Sequence, residues 1–479
     1  MMYVRVLTNR GYPREKAASR VGTSARRAEY HPYFVVERAQ RLVGAAKKLP
    51  VPEGTYAVGA GLLILGLTAY GFQILAAHRL SSTEYAALNS LWAIVFVVAP
   101  GLFQPLEQEV ARALAHRRAN GIGGGPLIKR AALLGGILAI SVAVACLIFA
   151  PQLKDRLFHG YGGLLVGLFA ALACYYLAHM TRGTLSGNGR FGAYGLMHGT
   201  EGTVRIAFCT VLFVAGVTSP GWYGLALALP PLVAVLVSLR GQHNLVVPGP
   251  AAPYNELSSA LGMLLLGSLL AQLLSYASFL GVTLMAHTPK EKASVGSFIT
   301  GLFIARILIL LFQAVQAALL PKLAGLAGAG RHDDFRSGMR KLLLIVVTLG
   351  LLGIAGATLL GPWAGKLLFG DKWVLGHRDM ALLTAGSAAF IIALTLAQGL
   401  IALKAYTRAA IAWVIGIVAY VVAAAPGDNL YLRNELGFVA GSAAAAIVMA
   451  IMLGDQMRRG LPATVEELVE VIEHEPLEI

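Results

Sequence analysis

Charge is scarce in this 479-residue chain. Asp, Glu, Lys and Arg make up 13% of it, and only 24 residues are acidic. So little charge, with 57% hydrophobic residues and a mean hydropathy of +0.68, excludes a soluble globular domain. Cysteine is nearly absent as well. Cys146, Cys174 and Cys209 all fall inside apolar runs, where they read as small packing residues. No Cys-x-x-Cys or His/Cys spacing occurs, so no metal and no resident cofactor is expected. The apolar stretch that a cleavable signal peptide needs after its first basic residues is also missing. A basic soluble domain is missing too, so the net charge of +15 does not read as nucleic-acid binding.

What is present is a series of apolar runs near the ~20 residues that cross a bilayer as a helix. About twelve are read, at roughly 56–77, 85–104, 131–150, 161–181, 194–217, 221–239, 257–285, 293–319, 342–361, 379–402, 408–425 and 436–456. Lys and Arg divide unevenly between the segments joining them. Of 39, the N-terminal tail, the loops on its side and the C-terminal tail hold 28, the opposite loops hold nine, and Arg205 and Arg306 lie within runs. By the positive-inside rule both termini are expected in the cytoplasm of a bacterial-type plasma (inner) membrane, with the basic face against anionic membrane lipids. Residues 1–52 form a basic tail. Its segment Tyr33–Leu49 places Val35, Ala39, Leu42, Val43, Ala46 and Leu49 on one helical face, which suits either an interfacial helix or an unstructured leader. Residues 457–479 are an acidic tail, in which Thr464 to Glu467 resembles a capping box before a short apolar stripe.

A helix-and-loop pattern occurs twice. Residues 77–121 and 286–330 align without gaps and share identities that include Ala77-His78 with Ala286-His287, Phe103-Gln104 with Phe312-Gln313, Leu114-Ala115 with Leu323-Ala324, and Gly121 with Gly330. A second module, His179 to Phe191, has a counterpart at Leu396 to Arg408, and both read as tight basic hairpins. The repeat predicts an all-α polytopic membrane protein built as two six-helix bundles, 53–240 and 257–456, joined by a cytoplasmic linker at 241–256. Gly163-xxx-Gly167 and Gly437-xxx-Gly441 have the small-residue spacing that lets helices approach closely.

The turn Arg79-Leu80-Ser81-Ser82-Thr83-Glu84-Tyr85-Ala86-Ala87-Leu88 resembles the R-x-L-G-x-x-x-Y-G-x-L turn of polysaccharide transporters, with Ser81 and Ala86 in place of the usual glycines. The hairpin Arg182 to Phe191 is similar to that family's loop between its fourth and fifth helices. The chain therefore resembles, over about 56–456, the lipid-linked oligosaccharide flippase branch of the multidrug/oligosaccharidyl-lipid/polysaccharide (MOP) flippase superfamily. The resemblance implies a MATE-like fold whose two bundles enclose a cavity open alternately to either side. It also implies a polyprenyl-diphosphate-linked oligosaccharide as cargo, moved from the cytoplasmic to the outer leaflet.

Residue chemistry supplies candidates beside that resemblance. An arginine near mid-membrane costs roughly 2.5–3.5 kcal/mol on insertion scales and is expected to face a polar cavity or a partner. Arg306 sits halfway along the eighth run with Gln313 and Gln316 on nearly the same face, a stripe suited to a diphosphate. Alternatively, Arg306 pairs with a carboxylate and locks two helices together. In the fifth run Tyr194, His198, Glu201 and Arg205 form one stripe. Glu201 and Arg205 either neutralise each other, or Glu201 with His198 binds a coupling proton or sodium ion while Arg205 meets the substrate. Gln272, Ser275 and Tyr276 are further cavity candidates. Glu107, Glu109 and Arg112, with Arg182, read as a cytoplasmic gate or as solvated loop residues.

Three other activities are weighed. An ion-coupled multidrug (MATE-type) antiporter would be expected to offer carboxylates to cationic cargo, whereas Glu201 here stands against Arg205 and Arg306. A lipid II flippase shares the cationic cavity but usually carries two further C-terminal helices. A membrane glycosyltransferase or polymerase needs a large outer loop or carboxylates there; the outer loops are all under about twenty residues. The expectation is a non-enzymatic, monomeric transport unit, driven by a proton or sodium gradient and serving glycan synthesis machinery.

Overall fold

A computed structural model describes residues 55–253, 257, 261–309, 331–370 and 373–459. The expected interfacial helix at 33–49, most of the acidic tail, Gln313, Gln316 and the loop ending at Gly330 lie outside the described residues. All described regular structure is helical.

The first half contains α1 (Thr55–Arg79), α2 (Ser82–Val98), a π-helical turn (Ala99–Phe103), α3 (Gln104–Ala119), α4 (Gly125–Ile148), α5 (Gly163–Gly187), α6 (Phe191–Val214), α7 (Pro220–Ala228) and α8 (Pro230–Ser238). The second contains α9 (Leu261–Ser275), α10 (Ala277–Met285), α11 (Pro289–Ala305), α12 (His332–Phe369), α13 (His377–Ala402), α14 (Tyr406–Ala424) and α15 (Leu430–Arg459). Nine described helical segments are long and apolar enough to span a bilayer, or ten if α9 and α10 form one bent span. With 24 residues α6 has the length too, but its middle carries His198, Glu201 and Arg205. Large side chains left exposed, such as Leu133, Ile137 and Ile140 on α4 and Leu351, Leu352 and Leu359 on α12, form the surface expected against lipid.

Both copies of the repeat begin their second helix with the same cap. Ser81 Oγ accepts from Glu84 N at 3.3 Å while Glu84 Oε2 accepts from Ser81 N at 2.8 Å. Thr288 Oγ1 accepts from Glu291 N at 3.2 Å and Glu291 Oε2 from Thr288 N at 2.9 Å. Bonds from the Thr288 and His287 backbone N–H groups hold the Glu291 carboxyl below the usual carboxylate range. Each capped helix runs 17 residues and then breaks, at Ala99 in one copy and at Arg306 in the other. In the first copy Pro100 cannot donate to the ladder, and the chain widens into the π-turn before α3 resumes.

Residues 104–119 are thus helix, not the basic loop expected from their charge. Glu107 and Glu109 are buried, because α3 lays one face against α5. The hairpin expected from 182 onward likewise begins later: α5 continues to Gly187, and the turn is made at Asn188–Arg190 around Gly189, whose φ is +71°.

Glycine sets the closest helix crossings. A Cβ on Gly195 of α6 would lie 2.3 Å from the Ala57 backbone of α1, and one on Gly167 of α5 would lie 3.2 Å from Gly224 of α7. On the other side, a Cβ on Gly441 of α15 would meet the Gly416 carbonyl of α14 at 2.7 Å. Most first-half helices pack among themselves, as do most second-half helices. Besides a contact of α1 with α12, they meet mainly where α2, the π-turn and α3 touch α9, α10 and α11. There Ser268 Oγ donates to Pro100 O at 3.1 Å.

Candidate functional site

Among the described residues, two polar centres bring together candidates that the sequence singled out. The first is built on α5 and α6. Glu201 accepts from two guanidinium groups: Arg205 Nη2, one turn along its own helix at 2.5 Å, and Arg182 Nη2 from α5. Tyr175 Oη sits 3.3 Å from Glu201 Oε1 and accepts from Arg205 Nη2 at 3.0 Å. Glu201 and Arg205 are each 1% exposed, so this carboxylate is saturated by its neighbours. The Arg205 guanidinium also lies 5.9 Å from the Trp92 ring centre on α2.

Beside this cluster, Glu107 of α3 meets His179 Nδ1 at 2.7 Å and accepts from Tyr194 Oη at 3.1 Å. The His198 ring stands edge-on to Tyr194 at 4.9 Å, and both its nitrogens are buried without a hydrogen-bond partner. Buried polar groups are normally satisfied, so the two unused nitrogens mark a place where the packing leaves chemistry available.

The second centre forms where the seventh expected span breaks. Between α9 and α10 the chain bends by 55° at Tyr276, with neither Gly nor Pro at the break. Arg306, at the broken end of α11, supplies the reason. Its Nη2 donates to the Ser275 backbone carbonyl and, at 2.8 Å, to Ser275 Oγ. Its guanidinium also stacks 3.8 Å from the Tyr276 ring centre. The arginine satisfies a carbonyl that the bend releases from the helical ladder. Among the described residues no carboxylate pairs with it, and its Nε is buried without a partner. Arg306 lines a narrow cleft with Asn89, Trp92, Tyr276, Phe279, Ile299, Leu302 and Phe303. Asn89 offers a buried carbonyl oxygen, Oδ1, that has no partner.

The structure therefore separates residues that the sequence grouped. Arg306 and Tyr276 share the cleft; Arg205 is not among its lining residues and pairs with Glu201. Gln272 is half-buried on α9 and is not among the cleft-lining residues. Arg182, expected at a cytoplasmic gate, lies inside the Glu201 cluster. Glu109 pairs with Arg112 at 2.5 Å, with the arginine side chain 56% exposed, while Glu107 turns inward to His179. Trp92, Asn89, Tyr175, His179 and Ser275 join these centres without having been proposed as site residues from sequence, except Ser275. An Asn and a Trp inside an apolar run were the available signals. Among the described residues no group of three or more His, Cys, Asp or Glu could hold a metal ion.

No protein-family model matches the chain. It is 25% identical over 389 residues to an uncharacterized protein of Mycobacterium tuberculosis, covering 78% of this chain and 86% of that one. It is 23% identical over 371 residues to an uncharacterized protein of Mycobacterium bovis, covering 74% and 82%. Solved structures are more telling of the fold. An inward-facing multidrug resistance MATE family transporter of the MOP superfamily superposes with a TM-score of 0.67 at 17% identity, covering 82% of this chain and 95% of that one. An outward-facing structure of such a transporter gives 0.64 at 15% identity, covering 84% and 94%. The protein is a polytopic, all-helical membrane protein with the fold of MATE transporters.

Proposed function

We propose that this protein is a flippase that carries a polyprenyl-diphosphate-linked oligosaccharide, or a related cell-envelope glycolipid, from the cytoplasmic to the outer leaflet by alternating access. The observation that carries this reading is Arg306, a cation at a broken span, lining a cleft with no carboxylate paired to it among the described residues. A guanidinium so placed offers paired N–H donors to phosphate oxygens in a setting of low dielectric. Half-broken helices at mid-membrane are where transporters of repeated architecture tend to bind substrate. The join between the first- and second-half helices, at α2 and the π-turn against α9–α11, is where the halves would rock. In this closed arrangement the cleft is far smaller than a glycolipid headgroup, so opening must precede binding.

The test is depletion of the protein in its native cell, followed by extraction of lipid-linked glycans and assay of their leaflet. The reading expects one polyprenyl-linked species to build up on the cytoplasmic leaflet. Hypersensitivity to cationic drugs without such build-up would replace it with a multidrug antiporter, and build-up of lipid II alone would assign the protein to the peptidoglycan precursor.

A further inference from the structure

We propose that Glu435 is a proton-binding site of this protein, a carboxylic acid that keeps its proton while α13 and α15 are packed together and releases it when they part. The inference rests on the transport reading only for its place in a cycle; the binding site itself stands on geometry.

Glu435 is 0% exposed on the second turn of α15, and neither carboxylate oxygen has a hydrogen-bond partner. An ionised carboxylate cannot be held in that condition without a large desolvation penalty, so the packed state requires the neutral acid. Glu201, the carboxylate that sequence suggested for ion coupling, is in the opposite condition. Two arginines and a tyrosine already engage it.

The groups facing Glu435 from each packed element are engaged with partners of their own. From α13, Asp379 is engaged twice: its Oδ1 accepts from Arg378 Nη2 at 2.7 Å, and its Oδ2 accepts from the Gly376 N–H at 2.9 Å. Arg378 has its side chain 59% exposed and directed at Asp379. From α14, Tyr420 Oη lies 2.6 Å from Asn434 Oδ1 and 2.9 Å from the Ala277 carbonyl. On α15 itself, Arg433 donates to the Ala424 and Ala425 carbonyls at the end of α14, and Tyr431 packs on Phe298 of α11. In α11, Glu291 serves the helix cap. Neither α9 nor α10 carries a titratable residue.

The site is also joined to the break at Tyr276. Ser278 Oγ donates to the Asn434 carbonyl at 3.0 Å, and Tyr420 bridges Asn434 to Ala277. The turn of α15 that carries Glu435 is therefore bonded to the first residues of α10, next to the segment capped by Arg306. Along α15, Phe438 fits the face of α13 where a Cβ on Gly386 would meet its ring at 2.4 Å, and Ser442, two turns from Glu435, is likewise buried with an unpartnered hydroxyl. Parting α13 from α15 would hydrate this stripe and let the acid ionise. A proton bound only in the packed state shifts the packed-to-open ratio by up to about tenfold per pH unit. The Lys/Arg distribution assigns this end of the helices to the outer side, which would make the external solution the proton reservoir.

The experiment is infrared difference spectroscopy of the full chain in liposomes without substrate, comparing wild type with E435Q, E435D and D379N. At neutral pH the wild-type minus E435Q spectrum is expected to show the carbonyl stretch of one protonated carboxylic acid per chain. E435D should shift that band without removing it, and D379N should leave it in place. E435D also serves if E435Q does not reach a monodisperse folded state. A carboxylate signal at Glu435 at neutral pH, or a band that sodium ions abolish at constant pH, would overturn the proton assignment. Because no substrate is added, either result leaves the flippase reading to be tested separately.

Discussion

The Arg306 guanidinium lies 3.8 Å from the centre of the Tyr276 ring, and the same side chain bonds the Ser275 carbonyl that the break at Tyr276 leaves outside the helical ladder. One residue thus does two things. It makes a 55° bend in a membrane span tolerable, and it brings to the edge of a cleft a cation with no carboxylate partner among the described residues. In an apolar medium a released carbonyl needs a donor, and the donor chosen here is also the group best suited to grip a phosphate.

R306K keeps the charge but loses the planar stack and the fork of donors. Transport of an anionic lipid is expected to fall about 10- to 100-fold, matching roughly 1.5–3 kcal/mol for hydrogen bonds to a charged group. R306A should fall at least as far. Initial flipping rates in proteoliposomes measure both, and a rate unchanged in R306K would show that only the point charge matters.

Removing the charge of Glu201 leaves Arg182 and Arg205 buried together without their shared anion. E201Q is expected to lower stability by about 3–5 kcal/mol, the usual cost of breaking a buried ion pair from one side. E201Q/R205Q should recover part of that loss, since one uncompensated cation is removed with the carboxylate. Thermal unfolding in detergent checks this. A double variant less stable than E201Q would mean that the pairings act independently.

Gly195 and Gly192 lie one turn apart on α6 and should respond in opposite ways. A Cβ at Gly195 runs into the Ala57 backbone at 2.3 Å, whereas one at Gly192 meets nothing within 4 Å. G195A is expected to destabilise by about 1–3 kcal/mol through overpacking, and G192A to stay within about 0.5 kcal/mol of wild type. Unfolding midpoints of the two variants decide it.

Arg117 ties the segment after α8 to the first half. Its guanidinium donates to Gly123 O at 2.8 Å, Pro250 O at 3.1 Å and Ala251 O at 3.2 Å. R117A should free this segment and raise the rate of limited proteolysis between residues 240 and 253 about tenfold or more, in line with the loss of charged hydrogen bonds. An unchanged cleavage pattern would show that contacts of Gly123 and Gly249 hold the segment unaided.

The membrane class and the helix-rich fold were legible because apolar runs of spanning length leave little choice of structure. The repeat was legible too, but its register was not. Counting from the shared caps at Ser81 and Thr288, Arg306 stands opposite Ala99, where the ungapped sequence alignment places it opposite Val97. The turn before the second cap is shorter by two residues, and only the capping geometry reveals the gap. Arg182 and Glu107 were misplaced for a different reason. Polar, basic segments next to a span read as loops, yet here α3 and α5 run on, with Glu107 paired to His179 of α5 and Arg182 to Glu201 of α6. Such pairings join residues as far apart as Glu107 and His179, or Arg182 and Glu201, and no local periodicity announces them. Glu435 went unread because it lies beside an expected loop boundary, and its isolation is a property of packing alone.

The central claim is that an anionic lipid headgroup is moved through a site centred on Arg306. Its most direct test is a leaflet-exchange assay in proteoliposomes, with a polyprenyl-diphosphate sugar as cargo and an organic cation as the comparison. Wild-type protein should expose the diphosphate-linked sugar to an added membrane-impermeant probe, R306A should not, and neither should move the cation. Transport of the cation by wild type, with the lipid-linked sugar left in its leaflet, would contradict the account.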